Sequence, residues 1–373
     1  MERAPLDPAG GVLVGTDVMI RRITLRKLDL PLSSPYRLSY RTFHTFEPYL
    51  VEVEDDGGRR AVSDAHISPG SSAETREGGW AFLAARLPRL IGRSPCDAME
   101  MILRDFEQSK VASTAIVTAL EILAHSPLLD VERATDLPLL VPVGSTEQAD
   151  IEEEVETAIR QGFTTLKVKV GKDVEADVRR LGWIQKAANG RALLRVDANR
   201  AYSREDAIRF AARVSPQDIA LFEQPCEAEA WEDNAAVASV SDIPLMLDEP
   251  ICTLADIERA ANIPGVEFCK LKLKRFGGIA RLAEGIRQVQ AHGMSAVLGD
   301  GLGTDLHAWL EACVAAHTID NAGEFNGFLK MKQRLFKHAL PFSDGAIRLP
   351  AGYRPELDSA RIEAVTTQQT TFD

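Results

Sequence analysis

Apolar and polar positions follow two rhythms along this chain, and the rhythm changes near Leu137. Before that point, residues 20–53 alternate with the two-residue period of half-buried strands: IRRITLRKLDLPL, then EPYLVEVEDDGG, whose Asp56-Gly57-Gly58 is a hairpin-type turn signal. The text between them, SSPYRLSYRTFHTF, is rich in Ser, Tyr, Arg and Phe and reads as a loop able to close over a ligand. HISPGSSAET reads as a second such loop, ending in an approximate capping box from Ser72 to Glu74. Helical periodicity then runs through WAFLAARLPRLIG, AMEMILRDFEQ and ASTAIVTALEILAHS. Strands followed by helices predict a small α+β unit.

From Leu137 to about residue 327, short apolar phrases alternate with amphipathic ones such as IEEEVETAIRQG and LADIERAAN. The apolar phrases are LPLLVPV, TTLKVKV, ALLRVDAN, IALFEQP, IPLMLDEP, FCKLKLK, SAVLGD and AGEFNG. Eight β phrases joined by right-handed crossovers predict a closed parallel α/β barrel. Beyond residue 340, IRLPAGYRPELDSARIEAV reads as strand and turn returning towards the first unit. The expected organisation is a loosely ordered extension over 1–18, an α+β cap over 19–136 completed by 344–373, and the barrel over 137–343.

Three phrases end in a carboxylate: Asp197, Glu223 and Asp248, spaced 26 and 25 residues apart. That cadence suits successive βα units, whose strand C-termini point into one pocket. Three carboxylates converging there would repel one another unless a hard cation sat between them. Lys167 and Lys169 share one side of the KVK phrase. Alone, such a pair reads as a solvated strand face. Inside a barrel no such surface exists, and an inward lysine beside a divalent cation has its pKa lowered towards the range of a general base. Lys270 and Lys272, with Lys274 following, form a second set that could equally line an edge. Lys272 lies 24 residues after Asp248 and Lys169 lies 28 before Asp197, so these two lysines flank the carboxylates.

Composition narrows the partners. A formal charge of −12 over 373 residues argues against nucleic acid or an anionic membrane surface. No apolar run approaches the roughly 20 residues of a membrane span, and the first 18 lack the pattern of a signal peptide. Five scattered cysteines without a CxxC pair read as reduced thiols of a cytoplasmic protein.

The phrases KVK, DAN, EQP, DEP and KLKLKRFGG, in this order, resemble the enolase superfamily in its muconate lactonizing enzyme subgroup, over about residues 20–345. The resemblance implies a modified TIM barrel, (β/α)7β, with an α+β capping domain. It implies Mg²⁺, with Mn²⁺ as the alternative ion, on Asp197, Glu223 and Asp248. It also makes Lys169 and Lys272 an acid/base pair on opposite faces of a small carboxylate or amino-acid derivative. Lys167 would hold the substrate carboxylate and Asn199 would complete the polar network. Glu249, on the other side of an extended strand, would stand behind the ligands. Removing a proton beside a carboxylate leaves a dianionic enediolate, which the cation and the ammonium groups would stabilise as it forms. Racemase, epimerase or cycloisomerase chemistry is preferred, with lyase chemistry by syn elimination as the alternative.

Departures from the family pattern leave roles open. Asp300, in LGDGLGTD, lies 28 residues after Lys272 and either touches substrate, orients a lysine or merely turns the chain. Glu324 and Asn326, in GEFNG, partly match the acidic residues with which dipeptide epimerases of this group hold a substrate ammonium. His44 and His66 lie on the two loops as substrate contacts or ordinary packing residues. A Schiff-base aldolase using Lys169 or Lys272, and a non-catalytic binding protein, are the readings from other classes. Barrels often form symmetric homo-oligomers, and no residue stripe here specifies one.

Overall fold

The computed structural model describes residues 18–37, 42–70, 72–299 and 301–373, so residues 1–17 of the expected extension, and Asp300, lie outside the described residues. At the N-terminal end, an antiparallel sheet takes the order Thr366–Phe372, Ile20–Leu28, Tyr49–Asp55, Arg60–Ala65. Its inner face (Ile23, Leu25, Val51, Val53) packs against helices Arg76–Arg86, Pro95–Arg104 and Lys110–Leu123. The last helix is apolar along most of its length, as its burial between this sheet and the barrel requires.

Seven parallel strands form the barrel sheet in sequential order: Val141–Val143, Thr165–Lys169, Leu193–Asp197, Ile219–Glu223, Leu245–Leu247, Val266–Leu271 and Ser295–Leu298. Strand periodicity sorts their side chains. Leu166, Val168, Leu194, Val196, Phe222, Leu247, Cys269 and Leu298 point outward into the core beneath the helices. The alternate positions Leu221, Met246 and Val297 form a small plug inside the ring. Two residues further along the same inner face come Glu223 and Asp248, and Lys167, Asp197 and Lys270 are buried there beside them. The plug closes the floor, and the polar layer above it is the part of the interior left for chemistry.

The ring closes without an eighth strand. Residues 322–326 carry only an isolated bridge, Leu139 to Gly323, yet they join both edges of the sheet. Leu140 N donates to Gly323 O (3.1 Å), and Glu324 N donates to Leu298 O (2.8 Å). Gly299, at φ +100°, lets this segment pass: a Cβ there would lie 2.5 Å from Phe325 N. Gly299→Ala therefore meets both a left-handed backbone and a main-chain clash, and should cost about 1–3 kcal/mol. Urea denaturation of the variant measures it, and a loss below the scatter of surface substitutions would show that the closure is soft.

Other differences from the expected elements have local causes. LPLLVPV splits, because Thr135–Pro138 pairs with Ala346–Leu349 in a separate three-stranded sheet and only Val141–Val143 enters the barrel. The first expected loop is largely an antiparallel ribbon, Leu30–Arg37 with Thr42–Phe46. The C-terminal text adds a helix, Ser359–Val365, before the strand that completes the first sheet. The helix expected after the second loop is capped by Thr75, whose hydroxyl accepts from Gly78 N, rather than by Ser72. Glu74 instead crosses to the helix Lys110–Leu123, where it accepts from Ser109 Oγ (2.6 Å) and Val111 N (3.2 Å).

Candidate active site

At the C-terminal end of the barrel strands lies a cavity of about 230 Å³, roofed by Tyr36, Ser72, Glu74 and Lys110 from the N-terminal part of the chain. Its floor is a lattice of buried charge. Lys167 Nζ sits among three carboxylates: Asp197 (2.9 Å), Glu223 (2.8 Å) and Glu324 (2.9 Å). Burial alone would disfavour its ammonium form, but those three neighbours raise its pKa well above the ordinary lysine value. Lys270, 1% exposed, also contacts Glu324 and lies 3.7 Å from Glu223. Although burial opposes its charge, the two lysines hold the Glu324 carboxyl well below the usual carboxylate range.

Two further lysines stand higher in the cavity, one on each side of this lattice. Lys169 Nζ donates to Asp197 Oδ2 (2.5 Å) and to Asn199 Oδ1, and its side chain is 37% exposed. Lys272 Nζ donates to Asp248 Oδ2 (2.8 Å), whose other oxygen accepts from Arg275 (2.9 Å). Three strands, those ending in Asp197, Glu223 and Leu247, separate the strand of Lys169 from the strand preceding Lys272. Against the cost of burial, the lysines keep Asp197 below the normal carboxylate pKa, and Lys272 with Arg275 keeps Asp248 well below it. Burial and the adjacent Asp197 push Glu223 the other way.

Asp197, Glu223 and Asp248 thus stand at the ends of three adjacent strands, all but inaccessible to solvent. Among the described residues, no three acidic, histidine or cysteine groups stand arranged to hold a metal ion: Asp197, Glu223 and Glu324 close on the Lys167 ammonium, and Asp248 turns to Lys272 and Arg275. The oxygens of Glu223 meet only ammonium groups, Lys167 at 2.8 Å and Lys270 at 3.7 Å, and accept from no neutral donor. Three buried carboxylates on adjacent strands, one of them served by ammonium groups alone, are hard oxygen donors that fit a hard divalent cation.

Residues 150–355 match the family model described as "Enolase C-terminal domain-like", which is more than half of the chain. The chain belongs to the enolase superfamily. Within it, the chain falls in the mandelate racemase/muconate lactonizing enzyme subgroup. It is 25% identical to the L-Ala-D/L-Glu epimerase of Bacillus subtilis (strain 168) over 350 residues, covering 89% of this chain and 94% of that enzyme. It is 26% identical to muconate cycloisomerase 1 of Rhodococcus opacus, covering 90% and 95%. The dipeptide epimerase of Cytophaga hutchinsonii, solved with Mg and the dipeptide D-Ala-L-Val, shares the fold at a TM-score of 0.86 and 22% identity, covering 95% of this chain and all of that one. Both curated relatives are named for isomerisations, an epimerase and a cycloisomerase. Among the described residues no helix is long and apolar enough to cross a membrane.

Two expectations, for Glu249 and Asn326, need correction, and the histidines take the ordinary packing and surface places that were one of their two readings. Glu249 does not stand behind the ligands. The strand ends at Leu247, so alternation no longer applies, and Glu249 lines the cavity with Oε1 3.4 Å from Arg200 Nε. Burial and the neighbouring Asp248 push its carboxyl up to about 7. Asn326 is not on the cavity wall with Glu324: its amide donates to Leu140 O (2.8 Å) and accepts from Lys330 (2.7 Å), which knits the barrel closure. His66 is buried against the rings of Phe43 and Phe46, while His44 is exposed on a strand. The sequence paired Lys270 with Lys272 but gave it no role, and Arg275 was not singled out; both line the cavity, and the continued alternation of KLKLK was the signal for Lys270. Nor was Gln224 singled out, whose side chain accepts from Asp248 N (2.9 Å) and fixes the start of that turn.

Proposed function

We propose that this superfamily member removes and replaces the hydrogen α to a carboxylate, a 1,1-proton transfer amounting to racemisation or epimerisation. Lys169 and Lys272 act as the two acid/base groups. The observation that carries this reading is the placement of two lysines in one cavity, on either side of the buried carboxylates, each against a different one. Asp197, Glu223 and Asp248 would hold Mg²⁺, which when bound supplies a Lewis acid for the substrate carboxylate and a charge that disfavours the ammonium form of nearby lysines. Lys167 and Lys270, paired with buried carboxylates beneath the pocket, face the negative charge that develops as the α-proton leaves.

The substrate is read as a carboxylate without a free amine next to Glu324. That carboxylate already serves two lysines, and Arg195 adds a third buried cation below. A substrate ammonium would be a further positive charge on one acceptor. The wild-type protein incubated in D₂O with Mg²⁺ and a panel of free and N-acylated amino acids and dipeptides should wash out α-hydrogen from N-acylated members. EDTA should stop the exchange. Exchange that ignores EDTA, or borohydride trapping of substrate on a lysine, would reject the reading in favour of Schiff-base chemistry.

A further inference from the structure

Lys169 and Lys272 are mounted differently. Lys169 ends a strand inside the sheet, but the strand before Lys272 stops at Leu271, and Lys272 leads a single helical turn, Leu273–Phe276, followed by Gly277 and Gly278. Nothing in the sheet ladder fixes that turn, so its position depends on what grips it from outside. From the barrel side, Arg275 within the turn donates to Asp248 O and to Asp248 Oδ1 (2.9 Å), and Glu311 accepts from Leu273 N (3.3 Å). From the capping helix Lys110–Leu123, the Thr114 hydroxyl reaches Lys274 O (3.3 Å), and the Glu121 carboxylate accepts from Ile279 N (2.7 Å) and Ala280 N (2.9 Å).

Glu121 makes the larger share of the cap's contacts, two hydrogen bonds against the single one of Thr114. It is 5% exposed, and its two oxygens take consecutive orphan amides at the start of helix Ile279–Ala291; burial pushes its carboxyl up to about 7, against the pull of those two amides. The two glycines make the close fit possible. A Cβ on Gly277 would strike Phe106 at 2.3 Å, and one on Gly278 would lie 3.0 Å from Glu121 Oε2. The cap thus holds the turn through Thr114 at Lys274 and holds the chain just beyond it through Glu121 at Ile279 and Ala280.

We infer that Glu121, on the capping helix, is a positioning residue that sets where the Lys272 amine stands, and that it has no such hold on Lys169. The catalytic consequence rests on the assignment of Lys272 above; the mechanical link does not. Trace acetylation of the full-length Mg²⁺-treated protein with acetic anhydride, mapped by peptide mass, compares the two lysines without needing a substrate. In Glu121→Ala, losing two hydrogen bonds to buried amides should loosen the turn enough to change Lys272 acetylation roughly tenfold, with Lys169 unchanged. Glu121→Gln keeps the shape and one acceptor oxygen, should give a smaller change of the same sign, and carries the test if the alanine variant does not fold. Equal changes at both lysines, or none at either, overturn the inference. Glu121→Gln that shifts Lys272 acetylation, beside a Lys272→Ala variant that still exchanges α-hydrogen from both epimers, would keep the link and remove the catalytic role. The reverse pattern would keep the role and remove the link.

Discussion

Lys169→Ala and Lys272→Ala should each lower the interconversion of epimers by about 10²–10⁴, the usual contribution of one positioned acid or base and worth roughly 3–5 kcal/mol of barrier. The two variants should differ in what survives. A two-sided mechanism takes the proton from one face and returns it from the other, so either loss stops interconversion. Hydrogen exchange in D₂O should then persist from the epimer whose proton faces the remaining lysine. Because Lys169 is the more exposed of the pair and has Asn199 as a second partner, its removal should leave the floor of charge intact. Following both epimers by proton NMR separates the outcomes. Complementary loss supports 1,1-proton transfer, silence in only one variant points to a cycloisomerase with one working lysine, and undiminished exchange in both sinks the assignment.

How much of this could be read from the chain alone depends on what the two-residue strand period encodes. It reports which side of a strand a residue takes, so Lys167, Lys169, Asp197 and Glu223 were legible as inward once a barrel was recognised. Depth and partners are invisible to it. Lys167 and Lys169 look equivalent in KVK, yet one is buried among three carboxylates and the other reaches solvent. The βα cadence singled out Lys272 because it counts strands, and so passed over Lys270 one layer below. The same rule misplaced Glu249 and Asn326, since alternation was carried past a strand end in one and into a segment with no strand in the other. The closing strand Thr366–Phe372 escaped notice because TTQQTTF lies at a sheet edge, largely exposed, and has no apolar face to mark it.

Glu324→Ala should be the most damaging single change to stability in the site, at about 3–5 kcal/mol, because it breaks a buried ion-pair network by removing one member. Glu324 is the acceptor that Lys167 and Lys270 share, both all but inaccessible to water. Without it, Lys270 keeps only Glu223 at 3.7 Å, and Lys167 competes for that same carboxylate. The backbone bonds that close the barrel at Gly323 and Glu324 do not need the side chain, so the loss should be electrostatic rather than topological. The pH dependence separates these causes. Because the folded-state pKa of Glu324 is depressed, its contribution is complete above the unfolded carboxylate value of about 4.3 and is lost as pH falls towards the folded one. Wild-type stability should therefore drop steeply below about pH 4, while Glu324→Gln, uncharged at every pH, should start lower at pH 7 and fall less. Parallel acid curves for the two proteins, by urea denaturation from pH 7 to pH 3, would mean that the lysines draw their stability from other partners.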